Sequence, residues 1–309
     1  MRKILAIVMG VAALMVVLFA LSDPTIRYPY IGVQLSRQLP ALHGSDPMTV
    51  MLSVETGTDM VTEEELQTQE PVVQDEYSLF MILREELKSQ TESAQVEYKV
   101  ERMESEQWAW QEAELNKLSA QTQIFPQKGA QAPKLEYPKE STMASEEVWT
   151  PLISSFWPKL PDGLQRAGRS SWQDRVTFKE KHPLTKELTP VNYNLVYRLE
   201  SFVNTERGLL ANIVYVGSIT EGSEVDATVS VRGTVKGFTL IEPDTGRAYG
   251  GEYRIEEKFM VKKPNLPVLR KTTYQGARFW RPMFYKMAQE QPDAQQIPQP
   301  QATTEEKAL

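Results

Sequence analysis

The chain has 309 residues, a net charge of −7 and a sequence pI near 5.2, a balance that argues against general nucleic-acid binding. It contains no cysteine, which excludes disulfides, thiolate metal sites, cysteine nucleophiles and a lipid-modified N-terminal cysteine, so the core must be held by burial alone. The length suits one large domain or two modest ones.

Met1-Arg2-Lys3 precedes an unbroken apolar run from Ile4 to Leu21, 18 residues long, followed by Ser22-Asp23-Pro24. At 1.5 Å per residue this run approaches the roughly 30 Å of a bilayer core. The basic pair predicts a cytoplasmic N-terminus with the rest of the chain outside. Residues 1–24 are expected to be a signal anchor or a signal peptide. Ala20-Leu21-Ser22 offers a cleavage site, but the missing polar c-region favours the uncleaved anchor. The expected location is the cell envelope, as a single-pass inner-membrane protein with its body in the periplasm or outside, or free in the periplasm if cleaved.

Residues 25–120 are expected to form an N-terminal β-rich part. Tyr28–Leu35 and Thr49–Glu55 flank the turn His43-Gly44-Ser45-Asp46-Pro47 and predict an opening hairpin. Thr62 to Ala120 holds 15 acidic and 5 basic residues, a local charge of −10. Its first stretch, to Asp75, has little to bury and is expected to run over the surface. Tyr77–Leu87 is ambiguous: Leu79, Leu83 and Leu87 repeat at helical spacing, while the block Leu79–Leu83 equally suits a buried strand. Val96, Tyr98 and Val100 alternate with charged residues as in a strand, and Ser105–Leu118 predicts a helix.

Residues 121–146 lack periodicity and predict a linker or long loop. Beyond them, Trp149, Leu152, Ile153, Phe156 and Trp157 share one helical face, with Pro151 limiting where that helix starts. This face could cap a cavity, dock on a membrane or meet a partner, or simply pack on its own sheet. Residues 147–287 carry the clearest pattern. Tyr193–Leu199, Leu209–Ile219, Val225–Val231, Thr234–Ile241 and Tyr253–Val261 alternate apolar and polar residues and predict successive antiparallel strands with one buried side. Residues 288–309, rich in Gln and Pro, predict a disordered tail. The predicted fold class is α+β, mainly β: a curved antiparallel sheet or half barrel with a few covering helices, preceded by one N-terminal hydrophobic helix.

Catalytic motifs are scarce. His43 and His182 are the two histidines, without ligand spacing, so no metal or other cofactor is expected. Asp244-Thr245-Gly246 matches the catalytic tripeptide of aspartic proteases, but Pro243 before it and Gly250-Gly251 after it predict a hairpin turn. Between Lys258 and Gln289 there are 8 basic residues and no acidic ones, interleaved with aromatics. Such a segment suits anionic headgroups or an acidic protein surface. The candidate ligand or partner contacts are therefore Trp149, Leu152, Ile153, Phe156, Trp157, Arg270, Lys271, Arg278, Trp280 and Arg281.

The arrangement Leu160-Pro161-Asp162-Gly163, Gly168, Ser171-Trp172, Tyr193-Asn194-Leu195 and Ala211-Asn212-Ile213 resembles a group of uncharacterised bacterial envelope proteins, similar in outline to lipoprotein-type half barrels. The resemblance covers the last half of the chain. It implies a sheet architecture and an envelope location, and it brings no catalytic residues. The leading expectation is a noncatalytic, membrane-tethered protein that binds a lipophilic ligand or an envelope partner. The alternatives are an accessory subunit of a membrane assembly and, third, a hydrolase of unknown type.

Overall fold

A computed structural model describes residues 33–35, 47–90, 94–105, 119–124, 134–136, 146–205, 208–222 and 227–281. The apolar run 4–21, residues 106–118 of the expected helix and the tail 288–309 lie outside the described residues. Among the described residues, no helix is long and apolar enough to cross a membrane.

The fold is mainly β. Thirteen strands are present among the described residues: β1 (Val33–Gln34), β2 (Met48–Val61), β3 (Asp75–Gln90), β4 (Ala94–Ser105), β5 (Ser119–Ile124), β6 (Lys134–Glu136), β7 (Leu164–Gln165), β8 (Ser171–Lys181), β9 (Leu188–Thr205), β10 (Gly208–Glu221), β11 (Val229–Ile241), β12 (Ala248–Val261) and β13 (Val268–Trp280). A helix, α1 (Glu146–Phe156), precedes β7. Eleven strands form one antiparallel sheet in the order β6-β5-β4-β3-β2-β13-β12-β11-β10-β9-β8, while β1 and β7 pair apart from it. The sheet is open, with β6 and β8 as its two edges.

The last strand occupies the middle. β13 pairs with β12 on one side and β2 on the other, joining the N-terminal and C-terminal strands into one sheet. The opening hairpin predicted from Tyr28–Leu35 and Thr49–Glu55 is not formed. β1 pairs with β7, and β2 takes β3 and β13 as neighbours. A turn signal fixes where a chain reverses but not which edge its strands will find. The ambiguous block 77–87 is a strand, β3, with Leu79, Met81, Leu83 and Glu85 buried on its inner face. Two strands, β5 and β6, fall within or against the stretch 121–146, where a linker or loop was expected, and extend the same sheet at its edge.

The inner face collects the core. Tyr193, Tyr197, Ile213, Tyr215, Val231, Tyr253, Phe259 and Phe279 all lie there in one cluster with the apolar face of α1. Gly237 lies in register between Tyr215 and Tyr253, and a side chain at that position would meet the Tyr215 ring at 2.6–2.7 Å. The glycine thus makes room for two aromatic rings on the inner face. The sheet also bends: Lys271 of β13 reaches Glu180 of β8 at 3.9 Å. Five strand steps in a flat sheet would separate those strands by about 24 Å.

Candidate functional site

On the inner face lies α1, which contacts β8, β11 and β12. The helix runs from Glu146, so Pro151 lies inside it rather than at its first turn. The missing proline N–H leaves one helical carbonyl without its usual bond, a local cost offset by what the helix buries. Trp149, Leu152, Ile153, Phe156 and Trp157 are at most 4% exposed. Phe156 packs against Tyr98 (ring centroids 5.6 Å) and edge-on to Phe279 (4.7 Å). Thr239 Oγ1 donates to Ser155 O at 2.8 Å, and Trp157 Nε1 donates to the Tyr98 hydroxyl. Beneath α1, walled by Pro151, Ser155, Tyr193, Tyr215 and Tyr253, the remaining cavity is about 20 Å³. That is about the space of one water molecule. Burial pushes the Tyr215 and Tyr253 phenols up, with Gln275 and Thr239 partly offsetting it.

Two charged clusters lie on the inner face at opposite ends. At one end, Glu85 is engulfed. Its Oε2 accepts from Arg281 Nη2 (2.7 Å), Arg247 Nη2 (3.1 Å) and Arg247 Nε (3.2 Å), and Arg281 Nε donates to Ala248 O (2.9 Å). Burial raises the Glu85 pKa, but the charges and hydrogen bonds of the two guanidiniums outweigh it and hold the carboxyl below its usual range. Tyr98 links this cluster to Trp157, so the end of α1 is tied to β3, β4 and β13. At the other end, Glu180, Glu257 and His182 are buried near Lys271. His182 Nδ1 accepts from the Leu184 and Thr185 amides at 3.2 and 3.1 Å, which places the ring proton on Nε2. Its ring stands edge-on to Phe259.

The outer face carries the open concavity. Ser78, Ser53 and Gly276 lie in register on β3, β2 and β13 and form the floor of a groove of about 690 Å³. Met51, Phe80 and Arg278 stand along one side. Past Gly276 the depression continues to Arg254 and Lys236.

The ten predicted contacts divide accordingly. The five from α1 come together on the inner face and pack on their own sheet. The five from β13 do not share a face, because alternate residues point to opposite sides. Lys271 and Arg281 face inward. Arg270, Arg278 and Trp280 face outward, and Arg270 is covered by the loop 62–74, donating to Asp59 Oδ1 (3.0 Å), Asp59 Oδ2 (2.6 Å) and Gln69 O (3.0 Å). The Arg270 guanidinium, through these hydrogen bonds, holds Asp59 below the usual carboxylate range. Asp244-Thr245-Gly246 forms the β11–β12 turn, with Gly246 N–H donating to Glu242 O and φ of 66° at Gly246.

Glu85, Arg247, Glu180 and Glu257 were not singled out by sequence. Glu257 could have been: it sits at the same period-two positions as Tyr253, Ile255 and Phe259. Glu85 was hidden by the helix–strand ambiguity of β3. Among the described residues, no group of three or more acidic or histidine side chains is placed to hold a metal ion. No protein-family model matches the chain, and no curated protein matches it.

Proposed function

We propose that the protein is a noncatalytic, membrane-tethered extracytoplasmic protein that binds an envelope partner, with a body in the form of a half barrel plugged by α1. The observation that carries this reading is the filled interior: α1 leaves about 20 Å³ beneath it, whereas a groove of about 690 Å³ lies open on the outer face. An acyl chain needs several hundred Å³ of enclosed space. The carboxylates that burial and charge displace, Glu85 and Asp59, are displaced downward and stay ionised, the opposite of what a general acid requires. Membrane attachment rests on the 18-residue apolar run and the basic pair before it.

A lipophilic ligand is the second reading. The motivating feature is that α1 lies on the apolar middle of the inner face, between the two charged clusters, which would become a trough if the helix left it.

The full chain purified from membranes in detergent decides between them. The expected result is lipid below one molecule per protein after denaturing extraction, together with one defined protein captured by a crosslinker placed at Ser53→Cys in intact cells. A single amphiphile released in one-to-one ratio only on denaturation would overturn the partner reading in favour of the carrier.

A further inference from the structure

The turn segment 162–170, which holds β7 and leads into β8, lies beside the point where the chain arrives from its N-terminus. Val33 pairs with Gln165 and Gln34 with Leu164. Only eleven residues lie between Leu21, the end of the apolar run, and Val33, a reach of at most about 40 Å. The turn is stiff. Gln165 is buried, and its Nε2 donates to Asp162 O (2.9 Å) and Gly163 O (3.1 Å). Gly168 N–H donates to Leu199 O (2.7 Å), and Arg166 N–H donates to Ser170 Oγ (2.8 Å). Gly163 and Gly168 adopt φ of 76° and 70°, and the space beyond each is open.

This rigid backbone presents Leu164 at 67% exposure, more than any other large hydrophobic residue described. Arg166 and Arg169 follow it within five residues, both exposed and neither paired with a carboxylate among the described residues. Asp162 is the one acid in the turn, and Lys159 beside it is already committed to Asp174 (3.4 Å). An exposed leucine followed by two unpaired arginines is the composition of a surface that meets anionic headgroups.

We propose that this turn is a second membrane contact: Leu164 enters the interface of the bilayer that holds the N-terminal segment, and Arg166 and Arg169 meet its anionic headgroups. The inference rests on the tether reading above. One leucine and two arginines are too few to recruit a protein by themselves, so their effect is to orient a body that is already tethered. The β12–β13 turn, with Leu266 at 59% exposure, then points away from the bilayer. It lies at the other end of the sheet, across the twelve residues of β9 from Leu199 to Leu188, about 36 Å.

Because the chain has no cysteine, Leu164→Cys and Leu266→Cys each provide one labelling site for an environment-sensitive fluorophore. The full chain carrying either label is reconstituted into vesicles of phosphatidylcholine with or without phosphatidylglycerol, and quenching by spin-labelled lipid is measured. The expected result is at least about twofold stronger quenching at position 164 than at 266, larger with phosphatidylglycerol, and loss of that lipid dependence in Arg166→Gln/Arg169→Gln. Equal quenching at both positions in protein that floats with the vesicles would overturn the second contact and leave the tether standing. Protein that does not float would overturn the tether reading, and this inference with it.

Discussion

Replacing Glu85 by glutamine keeps its shape and removes its charge. The structure sets the cost. Arg281 is 1% exposed and Arg247 12% at their side chains, so neither guanidinium can recover full hydration when its counter-charge is gone. Removing one partner of a buried ion pair costs about 3–5 kcal/mol, far more than a surface pair is worth. For a β body of this size each kcal/mol moves the midpoint by about 2–4 °C, so Glu85→Gln is expected to lower Tm by about 6–20 °C. The pH dependence gives a second, independent reading. The folded Glu85 pKa lies below its ordinary value of 4.5, so its contribution is present above that value and is lost as pH falls through the folded pKa. The variant should therefore show a flatter decline in stability below about pH 4.5 than the parent. The triple replacement Glu85→Met/Arg247→Met/Arg281→Met should recover much of the loss, since apolar side chains of similar volume remove all three desolvation costs. Chemical denaturation of the full chain in detergent across pH measures all three. A loss under about 1 kcal/mol for Glu85→Gln would refute the reasoning, because it would place the cluster in water.

Phe156→Ala should destabilise the protein by about 3–5 kcal/mol and change its near-UV circular dichroism, since the ring contacts both Tyr98 and Phe279 at 0% exposure. Two tyrosines should respond in opposite ways. The Tyr215 hydroxyl makes no hydrogen bond of normal geometry among the described residues, and Thr239, the one group offsetting its burial, already donates to Ser155. Tyr215→Phe is thus expected within about 0.5 kcal/mol of the parent or more stable, whereas Tyr98→Phe, which strands the Trp157 N–H, should cost about 1–3 kcal/mol. Denaturant midpoints compare them directly. Asp59→Asn weakens the bidentate hold on Arg270 that fastens residues 69–70, and should appear as faster backbone amide exchange across 66–74 with little change elsewhere.

The strands β9 to β12 could be read from alternation because each has one wet and one dry side, and consecutive hairpins leave little choice of partner; β8 was not foreseen, and Val225–Val231 and Thr234–Ile241, read as two strands, contribute to the single strand β11, Val229–Ile241. The apolar face of α1 was equally plain, since five large side chains repeat at helical spacing. Pairings between distant segments left no trace. Nothing in Val33-Gln34 names Leu164-Gln165 as its partner, and nothing in Met48–Val61 names β13. The basic run of β13 looked like one surface because charge was counted along the chain. Alternation across the strand sends Arg270 and Lys271 to opposite faces, where each meets an acid from a different part of the fold. Glu85 illustrates the other limit: its two arginines come from the β11–β12 turn and the end of β13, so no local pattern could flag it.

The central position of β13 sets the order in which this sheet can be completed. Asp59 and Arg270, paired across β2 and β13, are 211 residues apart in the chain. As the polypeptide emerges, β2 to β6 can zip into their own hairpins, and β8 to β12 into theirs. Each half meanwhile keeps one long backbone edge unsatisfied, at β2 and at β12. Those two edges remain available to any passing strand until the final thirteen residues of the sheet arrive between them. Closure is therefore a late, long-range event, and the interval before it is when this chain is most exposed to mispairing and most dependent on whatever shields nascent strands in its compartment.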